Sequence, residues 1–170
     1  MSAAVRNMSA DREIEVRKLL AGVPDPEIPV LSIVDLGIVR EVREEADGRM
    51  RVAITPTYSG CPATEVIRTL VRAALDAGGY ADAIVEEVLS PPWTSDWLTE
   101  AGREKLRAFG IAPPAARVAS PRQLMGAPAV SCPRCASRET ERVSEFGSTP
   151  CKAHYRCSAC GEPFDYFKCH

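Results

Sequence analysis

The spacing of hydrophobic residues predicts three helices in the first 110 residues. The first covers residues 11–20, and we expect Ser9 to cap its N-terminus. The second runs from about Pro62 to Ala77, where proline suits the first turn and one face carries Val66, Ile67, Leu70, Val71, Ala74 and Leu75. A third covers residues 95–109 and offers Trp97, Leu98, Ala101 and Leu106 for burial.

Strands are predicted between these helices. Residues 36–44 and 49–55 flank a turn that ends in Asp47-Gly48, a dipeptide that supplies positive φ, so we expect a hairpin. Residues 83–89 predict a third strand. The order helix, strand, strand, helix, strand, helix predicts an α+β domain over residues 9–110, in which helices cover a three-stranded sheet.

Beyond this domain the sequence predicts a linker and a metal-binding module. Residues 111–129 contain four prolines and no periodic pattern, which indicates a Pro-rich linker. Residues 130–170 hold two Cys-x-x-Cys pairs with 21 residues between them, enough for two short strands: Cys132, Cys135, Cys157 and Cys160. Four thiolates close a tetrahedral site with no open position, which favours structural zinc, although iron or an iron–sulfur cluster takes the same ligands.

Further metal donors lie close to these pairs in the sequence. They are Cys151, His154, Cys169 and His170. Each is an additional or alternative ligand candidate, but a packed thiol or an exposed imidazole is the commoner state when four sulfurs already satisfy one ion.

Composition and charge narrow the class of protein. The 21 Lys+Arg and 23 Asp+Glu give a formal charge of −2, so the chain has no long-range attraction for nucleic acids or anionic membranes. No stretch approaches the ~18 apolar residues of a membrane span, and we expect a cytoplasmic protein. A zinc-ribbon module that binds nucleic acid or docks on a protein is the alternative, and the acidic residues of residues 130–170 disfavour nucleic acid.

Cys61 is the sole cysteine before residue 132 and precedes the second predicted helix. A helix N-terminus favours a thiolate, which attacks electrophiles and binds metals, although free cysteines are as often simply buried. Its candidate polar neighbours are Asp25, Glu27, Asp35 and Thr57. Both histidines lie after residue 150, so no imidazole of the first domain can serve as a base, which weakens a thiol-enzyme alternative using Cys61.

Longer motifs resemble a known family. Asp25-Pro26-Glu27-Ile28-Pro29, Asp35-Leu36-Gly37-Ile38-Val39 and Gly60-Cys61-Pro62 are similar to the SufT-like iron–sulfur-assembly domain over residues 10–110. With the segments at 92–99, 146–152 and 160–169 added, the whole chain resembles the family of D components of phenylacetyl-CoA epoxidase systems.

The resemblance implies a maturation role in aerobic phenylacetate degradation rather than catalysis by this chain. It implies that Cys61 handles iron or an iron–sulfur cluster transiently. It also implies partners among the epoxidase subunits, either the di-iron oxygenase subunit or the iron–sulfur reductase subunit. The sequence is also compatible with a homo-oligomer.

Overall fold

The computed structural model describes residues 3–114 and 130–168, and side chains from residue 9 onward within the first helix. The chain forms two compact units, with residues up to Trp93 in unit 1 and residues from Thr94 in unit 2. The predicted end of the first domain, at residue 110, therefore falls inside unit 2.

Unit 1 contains two helices and a three-stranded sheet. Its elements are α1 (Ala3–Leu20), β1 (Val39–Glu44), β2 (Met50–Ile54), α2 (Ala63–Ala77) and β3 (Ile84–Glu87). In the strand order β1-β2-β3, β1 and β2 are antiparallel, while β2 and β3 are parallel because α2 connects them. The expected α+β architecture is therefore confirmed.

The predicted hairpin is confirmed, and its turn depends on glycine. Gly48 has φ 85°, and the Glu45 N–H donates to the Arg49 carbonyl at 2.8 Å. The core of unit 1 lies between the sheet and the helices, where these side chains have at most 1% exposure: Val16, Leu20, Met50, Val52, Val71 and Leu75.

Two details of the predicted helices are wrong. Helix α1 begins at Ala3, so Ser9 lies inside it and does not cap it. Val66 is 48% exposed because the buried line of α2 follows Ala63, Ile67 and Val71, and Val66 lies one position off that line.

The described residues of unit 2 form one α-helix and a four-stranded sheet. Its elements are a 3₁₀ turn (Ser95–Trp97), α3 (Glu100–Phe109), β4 (Ile111–Ala112), β5 (Thr140–Ser144), β6 (Lys152–Cys157) and β7 (Pro163–Phe167). The strand order is β4-β7-β6-β5. Both β5 and β6 lie between the Cys-x-x-Cys pairs, as the spacing predicts.

The helix predicted over residues 95–109 is interrupted. Leu98 has an extended conformation with ψ 124°, and the Thr99 side chain then accepts a hydrogen bond from the Gly102 N–H at 3.0 Å, which caps α3. The Arg103 guanidinium donates to the Pro114 carbonyl at 2.7 Å and to the Ser95 carbonyl at 2.9 Å. These contacts hold the 3₁₀ turn, α3 and the following chain together.

The first two residues of the predicted linker form a strand instead. Ile111 and Ala112 form β4 and pair in parallel with Asp165 and Tyr166 of β7. Because this pairing joins β4 to the ribbon sheet, α3 and β4 belong to unit 2. The other predicted linker residues, 115–129, lie outside the described part of the chain.

Candidate metal centre and reactive cysteine

Two tight turns present the four cysteines of the ribbon. In the first knuckle, Cys132–Ala136, the Ala136 N–H donates to the Cys132 carbonyl at 2.9 Å, and Ala136 has φ 58°. In the second, Cys157–Gly161, the Gly161 N–H donates to the Cys157 carbonyl at 2.9 Å, and Gly161 has φ 79°. Both knuckles therefore close on a residue in the left-handed region, which is glycine in one and alanine in the other.

The four sulfur atoms fit one tetrahedral ion. All four Sγ atoms lie within 4.8 Å of one another. The Cys132–Cys160 and Cys135–Cys157 Sγ distances are 3.8 and 3.6 Å. A metal–sulfur bond of about 2.3 Å places tetrahedral ligands roughly 3.8 Å apart, so these thiolates can hold a single metal ion. They would fill its coordination sphere and leave no position for a reacting water.

Each knuckle has one buried and one exposed cysteine. Cys132 and Cys157 are 2% and 0% exposed, whereas Cys135 and Cys160 are exposed. Hydrogen bonds from the backbone N–H groups of Cys160 and Ala159 hold the pKa of Cys157 at about 7, although burial opposes them. The Ser137 backbone N–H lowers the pKa of Cys135, but Cys160, burial and the other sulfurs raise it to about 12. Because the four thiols lie close together, their deprotonation is unfavourable unless a cation neutralises the thiolates.

Cys151 and His154, the additional donor candidates within the described residues, lie apart from this group. Cys151 is 3% exposed, and its Sγ lies 3.0 Å from the Thr149 hydroxyl. His154 Nδ1 lies 3.5 Å from Asp165 Oδ1. Within residues 3–114 and 130–168, only the four knuckle cysteines converge as a group of metal donors. Cys169 and His170 lie outside those ranges.

Cys61 lies immediately before α2 and is partly exposed. The Cys61 N–H donates to the Tyr58 carbonyl at 3.2 Å, and the Cys61 carbonyl accepts from the Thr64 N–H at 3.2 Å. Pro62 occupies the N-cap position without a side-chain capping bond. A Cβ added at Gly60 would meet no atom within 4 Å apart from its chain neighbours, so the space beside Gly60 is open.

The acidic residues proposed as neighbours of Cys61 shape their own loop. Asp25 Oδ1 accepts hydrogen bonds from the backbone N–H groups of Glu27 and Ile28 at 2.9 and 2.8 Å. Asp35 Oδ2 accepts from the Ser32 N–H and hydroxyl, both at 2.9 Å. Asp25 and Asp35 are buried, and these bonds explain the conformation of the loop without a ligand. Thr57 is partly exposed.

Two contacts near these sites were not predicted from the sequence. Trp93 Nε1 donates to the Leu36 carbonyl at 2.8 Å and fixes the end of unit 1 against the loop before β1. Arg134, inside the first knuckle, pairs with Glu162, just after the second, at 3.1 Å. Neither pairing leaves a local sequence signal, because the partners are 57 and 28 residues apart.

Among the described residues, none of the helices is both long and apolar enough to cross a membrane.

Fold and site together define a class of protein with two parts: an α+β unit with one accessible cysteine, followed by a four-cysteine ribbon. Residues 13–86 match the family model described as iron-sulfur cluster assembly protein. Residues 116–168 match the model described as PaaD zinc beta ribbon domain.

The chain belongs to the PaaD family, the D components of phenylacetyl-CoA epoxidase systems. It is 52% identical to an Escherichia coli protein described as the putative D component of 1,2-phenylacetyl-CoA epoxidase, over 91% of this chain and 92% of that protein. The resemblance seen in the sequence motifs is thereby confirmed.

Other relatives match only part of the chain. The Fe-S protein maturation auxiliary factor YitW of Bacillus subtilis is 41% identical over 47% of this chain and 78% of that protein. A solved domain of unknown function from Bacillus anthracis shares the fold with a TM-score of 0.55 and 26% identity, over 59% of this chain and 96% of that one.

Proposed function

We propose that this protein is a non-catalytic accessory factor of a phenylacetyl-CoA epoxidase, which assists assembly of the iron–sulfur cluster or di-iron centre in an oxygenase or reductase subunit. The observation that carries the proposal is the 52% identity to an epoxidase D component across both units. The likeness of unit 1 to named Fe-S maturation factors supports a role in metal assembly.

Cys61 is the proposed contact for the iron or cluster that is transferred. Support comes from its partial exposure and from the open space beside Gly60. The N-terminus of α2 has no side-chain cap, which suits an anionic ligand at that end of the helix. A single protein thiolate leaves the other coordination positions of an iron to the donor or the recipient, which suits transfer rather than storage.

The ribbon is proposed to hold zinc and to dock on the client subunit in the cytoplasm. The four sulfurs fit a zinc ion, and such a closed site supplies folding energy rather than chemistry. Two large apolar side chains on the ribbon, Val143 and Phe146, are 59% and 64% exposed and suit a protein surface.

The proposal is tested in cells from which the gene is deleted. Oxygenase and reductase subunits are purified from cells that carry wild-type protein, Cys61→Ser or Ser59→Ala, and their iron and acid-labile sulfide are measured per chain. Ser59 is exposed and two positions from Cys61, so its substitution is a matched control. We expect deletion and Cys61→Ser to lower iron content several-fold and Ser59→Ala to restore it.

Each contrary result has a defined meaning. Full metal content in the deletion strain would refute an assembly role. If deletion lowers the metal content but Cys61→Ser restores it fully, the protein has an assembly role in which Cys61 does not take part.

A further inference from the structure

Within the cluster of four sulfur atoms, two short distances each join an exposed cysteine to a buried one on the other knuckle. Exposed Cys135 lies 3.6 Å from buried Cys157, and exposed Cys160 lies 3.8 Å from buried Cys132. Cys135 and Cys160 are therefore the residues of the cluster that lie at the solvent boundary, and each has a sulfur of the opposite knuckle within 4 Å. A closed structural centre does not need this access.

We propose that Cys135 and Cys160 are sites of oxidation by peroxides, and that each then forms a disulfide with the buried cysteine of the opposite knuckle. The products are Cys135–Cys157 and Cys132–Cys160. The inference rests on the geometry of the four sulfurs and is independent of the proposed assembly role.

The chemistry balances with hydrogen peroxide as the oxidant. The exposed thiolate attacks one peroxide oxygen, so an S–O bond forms, the O–O bond breaks, and hydroxide leaves and is protonated to water. The buried thiolate attacks the resulting sulfenic sulfur, so the S–S bond forms and a second hydroxide leaves as water. Each disulfide consumes one peroxide and two protons, and two cysteine sulfurs give up the two electrons.

Little movement is needed to close either disulfide. The sulfur atoms must approach from 3.6 or 3.8 Å to about 2.05 Å. Backbone hydrogen bonds of each knuckle, from Ala136 to Cys132 and from Gly161 to Cys157, can remain, because both new bonds run between knuckles.

Oxidation removes the ligands of the metal but not the connection between the knuckles. Cys132 and Cys157 belong to the apolar cluster of unit 2, which also contains Val130, Tyr155, Phe164 and Tyr166. Two cross-knuckle disulfides would keep this cluster closed after the metal leaves. Peroxide should therefore yield a folded, metal-free ribbon, whereas chelation under reducing conditions should yield an unfolded one.

The test uses the full-length protein loaded with Zn²⁺ and titrated with hydrogen peroxide. A chromophoric chelator reports released zinc, and non-reducing peptide mapping by mass spectrometry identifies each disulfide. We expect one zinc released per chain for two peroxides consumed, the two cross-knuckle disulfides in the map, and recovery of zinc binding after reduction. Dimedone added during the reaction should label Cys135 or Cys160 rather than Cys132 or Cys157.

A control variant tests whether the cysteines outside the cluster take part in the reaction. The variant Cys61→Ser, Cys151→Ser, Cys169→Ser retains the four ligands and should give the same zinc release and the same disulfides. Three results would overturn the proposal: zinc retained while Cys61 is oxidised, disulfides within knuckles (Cys132–Cys135 and Cys157–Cys160), or release of zinc with sulfinic acids and no disulfide.

Discussion

The left-handed residue that closes each knuckle offers a sharp test of what stabilises the metal centre. Gly161 and Ala136 occupy equivalent positions, with φ of 79° and 58° and the same 2.9 Å hydrogen bond to the first cysteine of the knuckle. We consider the exchange of the two residue types: Gly161→Ala and Ala136→Gly.

The structure separates backbone strain from steric overlap in Gly161→Ala. A Cβ at Gly161 would meet no atom within 4 Å, so no clash contributes. The left-handed conformation costs a residue with a Cβ about 1–2 kcal/mol. We therefore expect a loss of about 1 kcal/mol from the folded, metal-bound ribbon.

Ala136→Gly should act in the opposite direction. It relieves the same conformational cost at Ala136, but the greater freedom of glycine in the unfolded chain opposes the gain by about 0.4–1 kcal/mol. The net change is expected to lie between zero and about 1 kcal/mol of stabilisation. The double variant should return close to wild type, since each knuckle retains its hydrogen bond.

Because metal binding and folding of the ribbon are coupled, the assay is competition for Zn²⁺ with a chelator at fixed pH. A change of 1 kcal/mol corresponds to about a fivefold change in affinity. We expect Gly161→Ala to weaken zinc binding about fivefold and Ala136→Gly to leave it unchanged or tighten it by up to that factor. Equal affinity for Gly161→Ala and wild type, or weaker binding by Ala136→Gly than by Gly161→Ala, would refute the reasoning.

Three further predictions follow from the structure. Removal of the metal by a chelator under reducing conditions should abolish the protection of β5–β7 amides from hydrogen exchange, while the amides of β1–β3 remain protected. Equal loss of protection in both units would contradict the view that the metal stabilises only the ribbon. Burial and a hydrogen bond to Glu15 raise the pKa of Tyr80, so folding favours the protonated phenol, and the free energy of unfolding should fall as pH rises above about 10. Tyr80→Phe should make that fall shallower in alkaline denaturant titrations, and an unchanged slope would contradict the contribution of Tyr80. In Gly147→Ala the new Cβ would lie 2.8 Å from Asp165 Oδ1 and 3.2 Å from Lys152 Cβ, which should lower stability in denaturant unfolding by about 1–3 kcal/mol. Unchanged stability would refute the predicted clash.

The sequence predicted those elements whose conformation depends on residues that are close together in the chain. Asp47-Gly48 marks the hairpin, and the apolar periodicity of residues 62–77 marks α2, because both patterns act over a few residues. Strand β4 has only two residues and acquires its identity from β7, which follows more than fifty residues later. No local pattern can indicate such a pairing, and the predicted domain end at residue 110 therefore differs from the division of the compact units at Trp93 and Thr94.

The same distinction between local and long-range determinants applies to the candidate site. Cys-x-x-Cys spacing predicted which four sulfurs converge, because each knuckle is a local turn. It could not predict that exposure alternates across the knuckles, since burial of Cys132 and Cys157 depends on strands packed over them. The sequence also could not predict the loop contacts of Asp25, whose carboxylate accepts hydrogen bonds from the backbone N–H groups of Glu27 and Ile28.

Coordination number explains why the proposed transfer role belongs to Cys61 and not to the ribbon. Four thiolates around one ion leave no position for an incoming ligand, so an ion can leave only if a sulfur is displaced or oxidised. Cys61 is the sole cysteine of unit 1, and an iron bound there must complete its coordination with ligands from elsewhere. Those ligands can belong to the client, so exchange requires one thiolate to be replaced. The proposed oxidation at Cys135 and Cys160 would release the ribbon ion by a different route and leave Cys61 chemistry unchanged.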